Sequence, residues 1–217
     1  LAARIDIRGD LTGEDLARLD EWKGKLFSEL DYVDLAGWRS WVDYPVALSK
    51  GKGAMRAWVS IEEGRLLDLT TDLALDDVRL RISRNLPELQ LDNLHGRLGG
   101  SLRRDGFAAF GSKLSLGLED GTKVPPTDFS FDWQASSDGR SVQGSGTTSR
   151  MNLQRLNKLS AYLPLDAKTR KLFDDYAPSG EIADLRVSFS GDADSLKSYA
   201  LRARFSDLGL RAQGYFP

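Results

Sequence analysis

A catalytic site needs a nucleophile, an acid–base group or a metal cage, and this chain is poor in all three. It has no cysteine and one histidine, His95. Thiol nucleophiles, zinc–thiolate sites, iron–sulfur clusters and disulfides are therefore excluded. Any triad or imidazole-based metal site would rest on His95 alone. His95 stands in DNLHGRL, on an expected strand, and reads as a surface or partly packed residue. Gly51 and Gly53 in GKGAM could suggest a phosphate loop. Such loops cradle phosphate at a helix N-terminus, whereas a strand follows here, so the segment is read as the start of a hairpin. Asp76, Asp77 and Asp92 lie singly on strands, while a calcium loop gathers several oxygens within about a dozen residues. The carboxylate pairs Glu62/Glu63 and Glu119/Asp120 fall in turn sequences and read as solvated turn residues. No catalytic residue, metal ligand or cofactor is assigned, and the chain is not expected to be an enzyme.

Composition narrows the classes further. The 217 residues, 41% hydrophobic and 29% charged, suffice for one substantial domain or two small ones and argue against disorder. Thirty Lys+Arg against 32 Asp+Glu give a formal net charge of -2. Without a basic excess to neutralise phosphates, nucleic acid is not an expected partner. No stretch approaches the roughly 20 apolar residues of a membrane-spanning helix. The chain begins with Leu, and both ends read as strands. It is expected to be an excised segment of a longer β structure, with no signal peptide to read.

The elements follow from apolar spacing. Residues 3–8 alternate at period two, as a half-buried strand does. Leu16, Leu19, Trp22, Leu26, Phe27 and Leu30 recur at three to four and predict a helix over 14–30, with Thr12 as a capping residue three before Asp15. A short helix over 35–41 is expected before Pro45, with Trp38 and Trp41 docking this 11–44 insert onto a sheet. From about 53 to 149 the period is two. Turns are expected at 62–64, 104–106, 119–121 and 136–140. Phe129, Phe131 and Trp133 make an aromatic stripe. Leu153, Leu156, Leu159 and Leu163 predict a helix, and a second short one follows Pro164, so that 151–178 is a helical insert. Strands resume over 179–217.

Four times the alternation is broken by two mostly polar residues and its phase flips: Leu75-Asp76-Asp77-Val78, Leu91-Asp92-Asn93-Leu94, Ile182-Ala183-Asp184-Leu185 and Phe205-Ser206-Asp207-Leu208. An extra residue in a strand does this and restores the apolar set to its original face. A tight two-residue hairpin is the alternative, but none of the four carries the Gly such turns favour. The outcome is an apolar face shared by some ten strands. That face must be covered by another sheet, closed into a barrel, or filled by something else apolar.

The segments WRSWVDYPVALSKGKGAMRAWVSIEEGRLLDLTTDLALDDVRLRI, LPELQLDNLHGRL, LNKLSAYLPLDAKTRKLF with APSGEIADLRVSFSG, and YALRARFSDLGLRAQGYFP resemble the AsmA-like envelope proteins, and more narrowly their very large YhdP-type members. The resemblance spans nearly the whole chain and rests on patterned apolar positions and Gly/Pro punctuation. It implies a mainly β fold with α inserts: a long curved antiparallel sheet forming a taco-like groove, apolar inside, with a few amphipathic helices. It implies one internal section, residues 1–217, of a repeating β-groove rod in the periplasm of a Gram-negative bacterium, the full-length protein being anchored in the inner membrane. The implied role is to move phospholipid between inner and outer membranes. The implied partners are phospholipid acyl chains, neighbouring segments of the same longer chain, and inner- and outer-membrane proteins.

Lipid tails crossing water need a continuous apolar lining, because each exposed CH₂ costs about 0.8 kcal/mol. The candidate lining is Ile5, Ile7, Val59, Ile61, Leu67, Leu69, Leu80, Leu114, Leu116, Phe129, Phe131, Leu185, Val187, Leu201 and Phe205. A structural spacer or docking module with a closed core is the alternative. An outer-membrane barrel also alternates, but the helical inserts and the connections without a hairpin signal weigh against it.

Overall fold

The alternation is realised as ten strands that pair antiparallel in strict chain order, forming one open sheet. The structure is a computed structural model that describes residues 4–13, 15, 18–40, 46–192 and 195–211. The strands are β1 (Ile5–Thr12), β2 (Lys23–Asp34), β3 (Ala47–Glu62), β4 (Arg65–Arg81), β5 (Leu89–Arg103), β6 (Gly106–Leu118), β7 (Lys123–Ala135) and β8 (Ser141–Asn152). The helices α1 (Leu153–Ser160) and α2 (Ala167–Tyr176) then precede β9 (Ser179–Asp192) and β10 (Ser195–Gly209). The mainly β fold with α inserts is thus the observed one. The four expected turns join β3–β4, β5–β6, β6–β7 and β7–β8. Hairpins are therefore the prevailing connection, and the argument from missing hairpin signals against a barrel does not hold. Among the described residues β1 and β10 each pair on one side only, so these ten strands do not close into a barrel.

The helix expected over 14–30 is not formed: Lys23–Asp34 is strand β2. Leu26 and Leu30 lie four apart, which suits a helix face and equally one face of a strand. Phe27 sits on the opposite face, where its ring packs 5.3 Å from Trp58. A strand with apolar residues on both faces mimics helical spacing. The helix expected over 35–41 is a single 3₁₀ turn, Gly37–Ser40. Trp38 packs against the core as expected of a docking residue, while Leu16, Trp41 and Pro45 lie outside the described residues. GKGAM is not the start of a hairpin but lies inside β3. Gly53 has φ +145°, and a Cβ there would stand 2.1 Å from the Ala74 carbonyl oxygen, so only glycine lets β3 and β4 pair at this point.

All four phase flips lie within uninterrupted strands. Asp77, Asp184 and Asp207 adopt left-handed φ of 49°, 51° and 53°, a conformation Asp tolerates better than most residues. Register shifts accompany the flips: between Lys50 and Lys52 against β4, Leu91 and Asn93 against β6, and Arg202 and Arg204 against β9. A fifth bulge, at Lys113 (φ 49°), does the same for β6 between Gly111 and Leu114.

One end of the inner face is closed. Leu30, Val33, Leu35, Leu48, Leu75, Val78, Leu89, Leu91, Leu94 and Leu118 form a buried cluster from β2–β6 and their connections. Val33 and Val78 are 0% and 1% exposed, yet a single sheet holds all ten strands. Trp38 and, near the end of α1, Leu159 and Tyr162 pack against the cluster. Side chains this buried on one face of a single sheet need cover on that face, and the described residues offer little besides these and the sheet's own curvature. The sheet therefore curls toward itself as a groove. The outer face carries cross-strand ion pairs, Glu29–Arg56 (2.7 Å) and Asp72–Arg97 (2.6 and 2.8 Å). Arg97 also lies over Trp58. Exposed pairs of this kind stabilise by tenths of a kcal/mol to about 1 each.

Candidate functional site

The inner face can be followed residue by residue through the register. Gly9, Leu26, Val59, Leu69, Gly100, Ala109, Phe131, Gly146, Val187 and Leu201 stand directly opposite one another in succession, from β1 to β10. This row crosses the whole sheet without one polar side chain. A parallel row from Ile7 runs through Ser28, Ala57, Thr71, Leu98, Gly111, Phe129 and Thr148 to Leu185, and carries three small hydroxyl side chains among its apolar ones. Large rings share the floor with glycines. A Cβ on Gly111 would meet Phe129 at 2.2 Å and one on Gly144 would meet Phe189 at 2.3 Å, so the rings lie across the neighbouring strand. Phe107, Phe131, Trp133 and Phe189 form a contiguous aromatic patch, with centroids 5.7 to 6.4 Å apart. Burial falls along β4 and β5. Leu75 and Leu91 are 3% exposed at the closed end, whereas Leu102 is 56% exposed at the other.

Of the fifteen candidate lining residues, fourteen register on this inner face. Ile5 and Ile7 lie on β1, and Leu201 and Phe205 on β10, all four exposed. Val59, Ile61, Leu69, Phe129, Phe131, Leu185 and Val187 line the middle. Leu80, Leu114 and Leu116 pack against the buried cluster. Leu67 sits at the register shift between Ser60 and Ile61, half-buried. Leu26, Leu98, Phe107, Phe189 and Trp133, the last of these already part of the aromatic stripe, belong to the same face but are missing from the candidate lining. Their alternation was visible, but the β2 residue was assigned to a helix. His95 lies on the outer face, opposite Ala74 and Ser115. Among the described residues no three His, Cys, Asp or Glu side chains come together.

Helix α1 roofs part of the groove. Asn152 caps it, accepting from the Arg155 backbone N–H at 2.9 Å. Leu156 and Leu159 of α1 face the sheet. Between them and β6–β9 lies a cavity of about 520 Å³ lined by Leu114, Phe129, Phe131, Leu156, Leu159, Leu163, Leu185 and Val187, within the roughly 300–1,000 Å³ of ligand pockets. Two tethers hold the roof. Lys158 Nζ donates to Asp120 Oδ2 at 3.1 Å and to Thr122 Oγ1 at 2.7 Å. Arg170 of α2 donates to the carbonyls of Ser160, Ala161 and Leu163 at and just beyond the end of α1, adding to the backbone N–H groups of Leu163 and Leu165 that Ser160 and Leu163 already accept. The Thr122 side chain and backbone N–H, followed by Lys158, hold the Asp120 carboxyl down to about 2.

Below α1 the sheet forks. β7 and β8 pair from Ala135 and Val142 only as far as Phe129 and Thr148. β7 then follows β6 to Lys123, opposite Gly117, while β8 follows β9 to Asn152, opposite Glu181. At the crotch the Asp128 backbone N–H donates to Ser149 Oγ at 3.0 Å. Pro125 and Pro126 stand on the freed edge of β7 and offer no N–H to re-zip it. A cleft of about 880 Å³ with a mixed polar and apolar lining occupies the fork and shares Val124, Pro125, Arg150, Arg155 and Glu181 with the apolar cavity.

The family described as YhdP protein matches the chain over residues 1–217. No curated protein and no solved structure matches it.

Proposed function

The chain belongs to the YhdP protein family, and on that premise we propose that it is a periplasmic section of a lipid conduit whose groove shelters phospholipid acyl chains between the inner and outer membranes. Membership of this non-enzymatic envelope family is consistent with envelope-associated lipid transport. No helix among the described residues is long and apolar enough to cross a membrane. The observation that carries the reading is the unbroken apolar row from Gly9 to Leu201, continuous with the cavity under α1. At about 0.8 kcal/mol per CH₂, an apolar surface of this reach offsets the exposure of a lipid tail. It needs no catalytic group. The unpaired edges of β1 and β10, with Ile7, Tyr199 and Leu201 exposed, suit continuation of the groove into neighbouring segments of a longer chain. The spacer reading draws on the buried cluster at one end, but that cluster closes the base and leaves the rest of the face uncovered.

Mass spectrometry of solvent extracts from the purified chain tests this. Phospholipid should co-purify, and Phe131→Arg should reduce it at least tenfold while the far-UV circular dichroism of the sheet is kept. A folded chain that carries no lipid and takes up no fluorescent acyl chain refutes the proposal.

A further inference from the structure

The fork between β7 and β8 is more than a gap in pairing, because it joins the two faces of the sheet. Its lining combines inner-face Leu116, Val124 and Ile182 with outer-face Asn93, Ser115 and Ala183. Its rim is cationic. Lys123, Arg150 and Arg155 face one carboxylate, Glu181, which already accepts from Asn152 Nδ2 at 2.7 Å. None of the three cationic side chains forms a hydrogen bond or ion pair with another described residue. Several outer-face arginines elsewhere in the sheet do: Arg56 pairs with Glu29, Arg97 with Asp72 and Arg103 with Asp132; Arg186 and Arg202, opposite each other on β9 and β10, do not, but they line neither the fork nor the apolar cavity. Unspent donors at the mouth of an oily cavity match an amphiphile with an anionic head.

We infer that the fork is a lateral port holding the phosphate of a lipid head group, with Arg150 and Arg155 as its donors and Lys123 as a third positive charge, while the tails enter the cavity under α1. Guanidinium groups suit this because their planar donors meet two phosphate oxygens at once. The prolines keep the port open, and the Lys158–Asp120 tether holds its roof across the fork. The port rests on the conduit reading above, and it adds a fixed place where the head group is recognised.

Displacement of a fluorescent diacylglycerol from the whole chain separates the two ideas. Three competitors are compared: phosphatidylglycerol, diacylglycerol of the same chains, and glycerol 3-phosphate. The port predicts that phosphatidylglycerol binds at least tenfold more tightly than diacylglycerol. Arg150→Glu with Arg155→Glu erases that preference, read as the ratio of phosphatidylglycerol to diacylglycerol affinity in the same variant. Lys123→Glu, on a different strand, weakens the preference in the same direction and serves if the double variant does not fold. Glycerol 3-phosphate displaces nothing. Charge reversals that leave the preference intact overturn the port while the conduit stands. Glycerol 3-phosphate binding as tightly as the lipid makes this a free-phosphate site and also overturns the port. Failure of the fluorescent diacylglycerol to bind at all removes the conduit and the port together.

Discussion

At the scale of single residues, polar groups in this protein fasten the apolar ones. Asp120 is the clearest case. It lies in a turn, as its sequence indicates, but the structure gives it Thr122 and Lys158 as partners and thereby a hold on α1. Its carboxyl titrates at about 2 instead of 3.8. A folded value below the unfolded one stabilises the native state above pH 3.8, and that contribution disappears as pH falls through about 2. Asp120→Asn should therefore melt at a lower temperature than the unaltered chain at neutral pH. The gap should close between pH 3.8 and 2, as followed by circular dichroism. A gap independent of pH would mean that the charge plays no part in seating the helix. That Lys158 reaches this turn from 38 residues away could not be read from spacing.

At the scale of elements, strand alternation was legible and helical spacing was only half so. The insert at 151–178 follows the apolar repeat, since Leu153, Leu156 and Leu159 have one sheet face to meet, whereas its caps at Asn152 and Asp166 appear only in the structure. The pattern over 14–30 misleads because Phe27 has an aromatic partner on the outer face, so β2 is apolar on both sides. The four phase flips were legible because a one-residue slip would put every following leucine in water. The Lys113 bulge lacks that signal, since Gly111 carries no side chain to mark its face. The elements also divide in stability along their length. Leu75→Ala, in the closed base, should cost about 2–5 kcal/mol in urea unfolding. Leu102→Ala, at the open end of β5, should stay within about 0.5 kcal/mol. Equal losses would show that the open end is core as well.

At the scale of the whole molecule, two unpaired edges flank a face that is apolar from one to the other. Edges of this kind associate unless a partner covers them. The isolated chain should self-associate with rising concentration in sedimentation velocity. Tyr199→Lys with Leu201→Lys on β10 should shift it toward monomer, and an unchanged distribution would place the association elsewhere. The sequence by itself determined that the strands share one apolar face, where most of them turn and where four of them bend. These are local properties, written in the parity of side chains along an extended backbone. Only the tertiary structure decided that this face is shut at its base and open beyond it, that α1 roofs a cavity, and that β7 and β8 part around unpaired arginines. Those features depend on curvature and on which strands stop pairing, which sum over many residues distant in the chain and leave no periodic mark on any one segment.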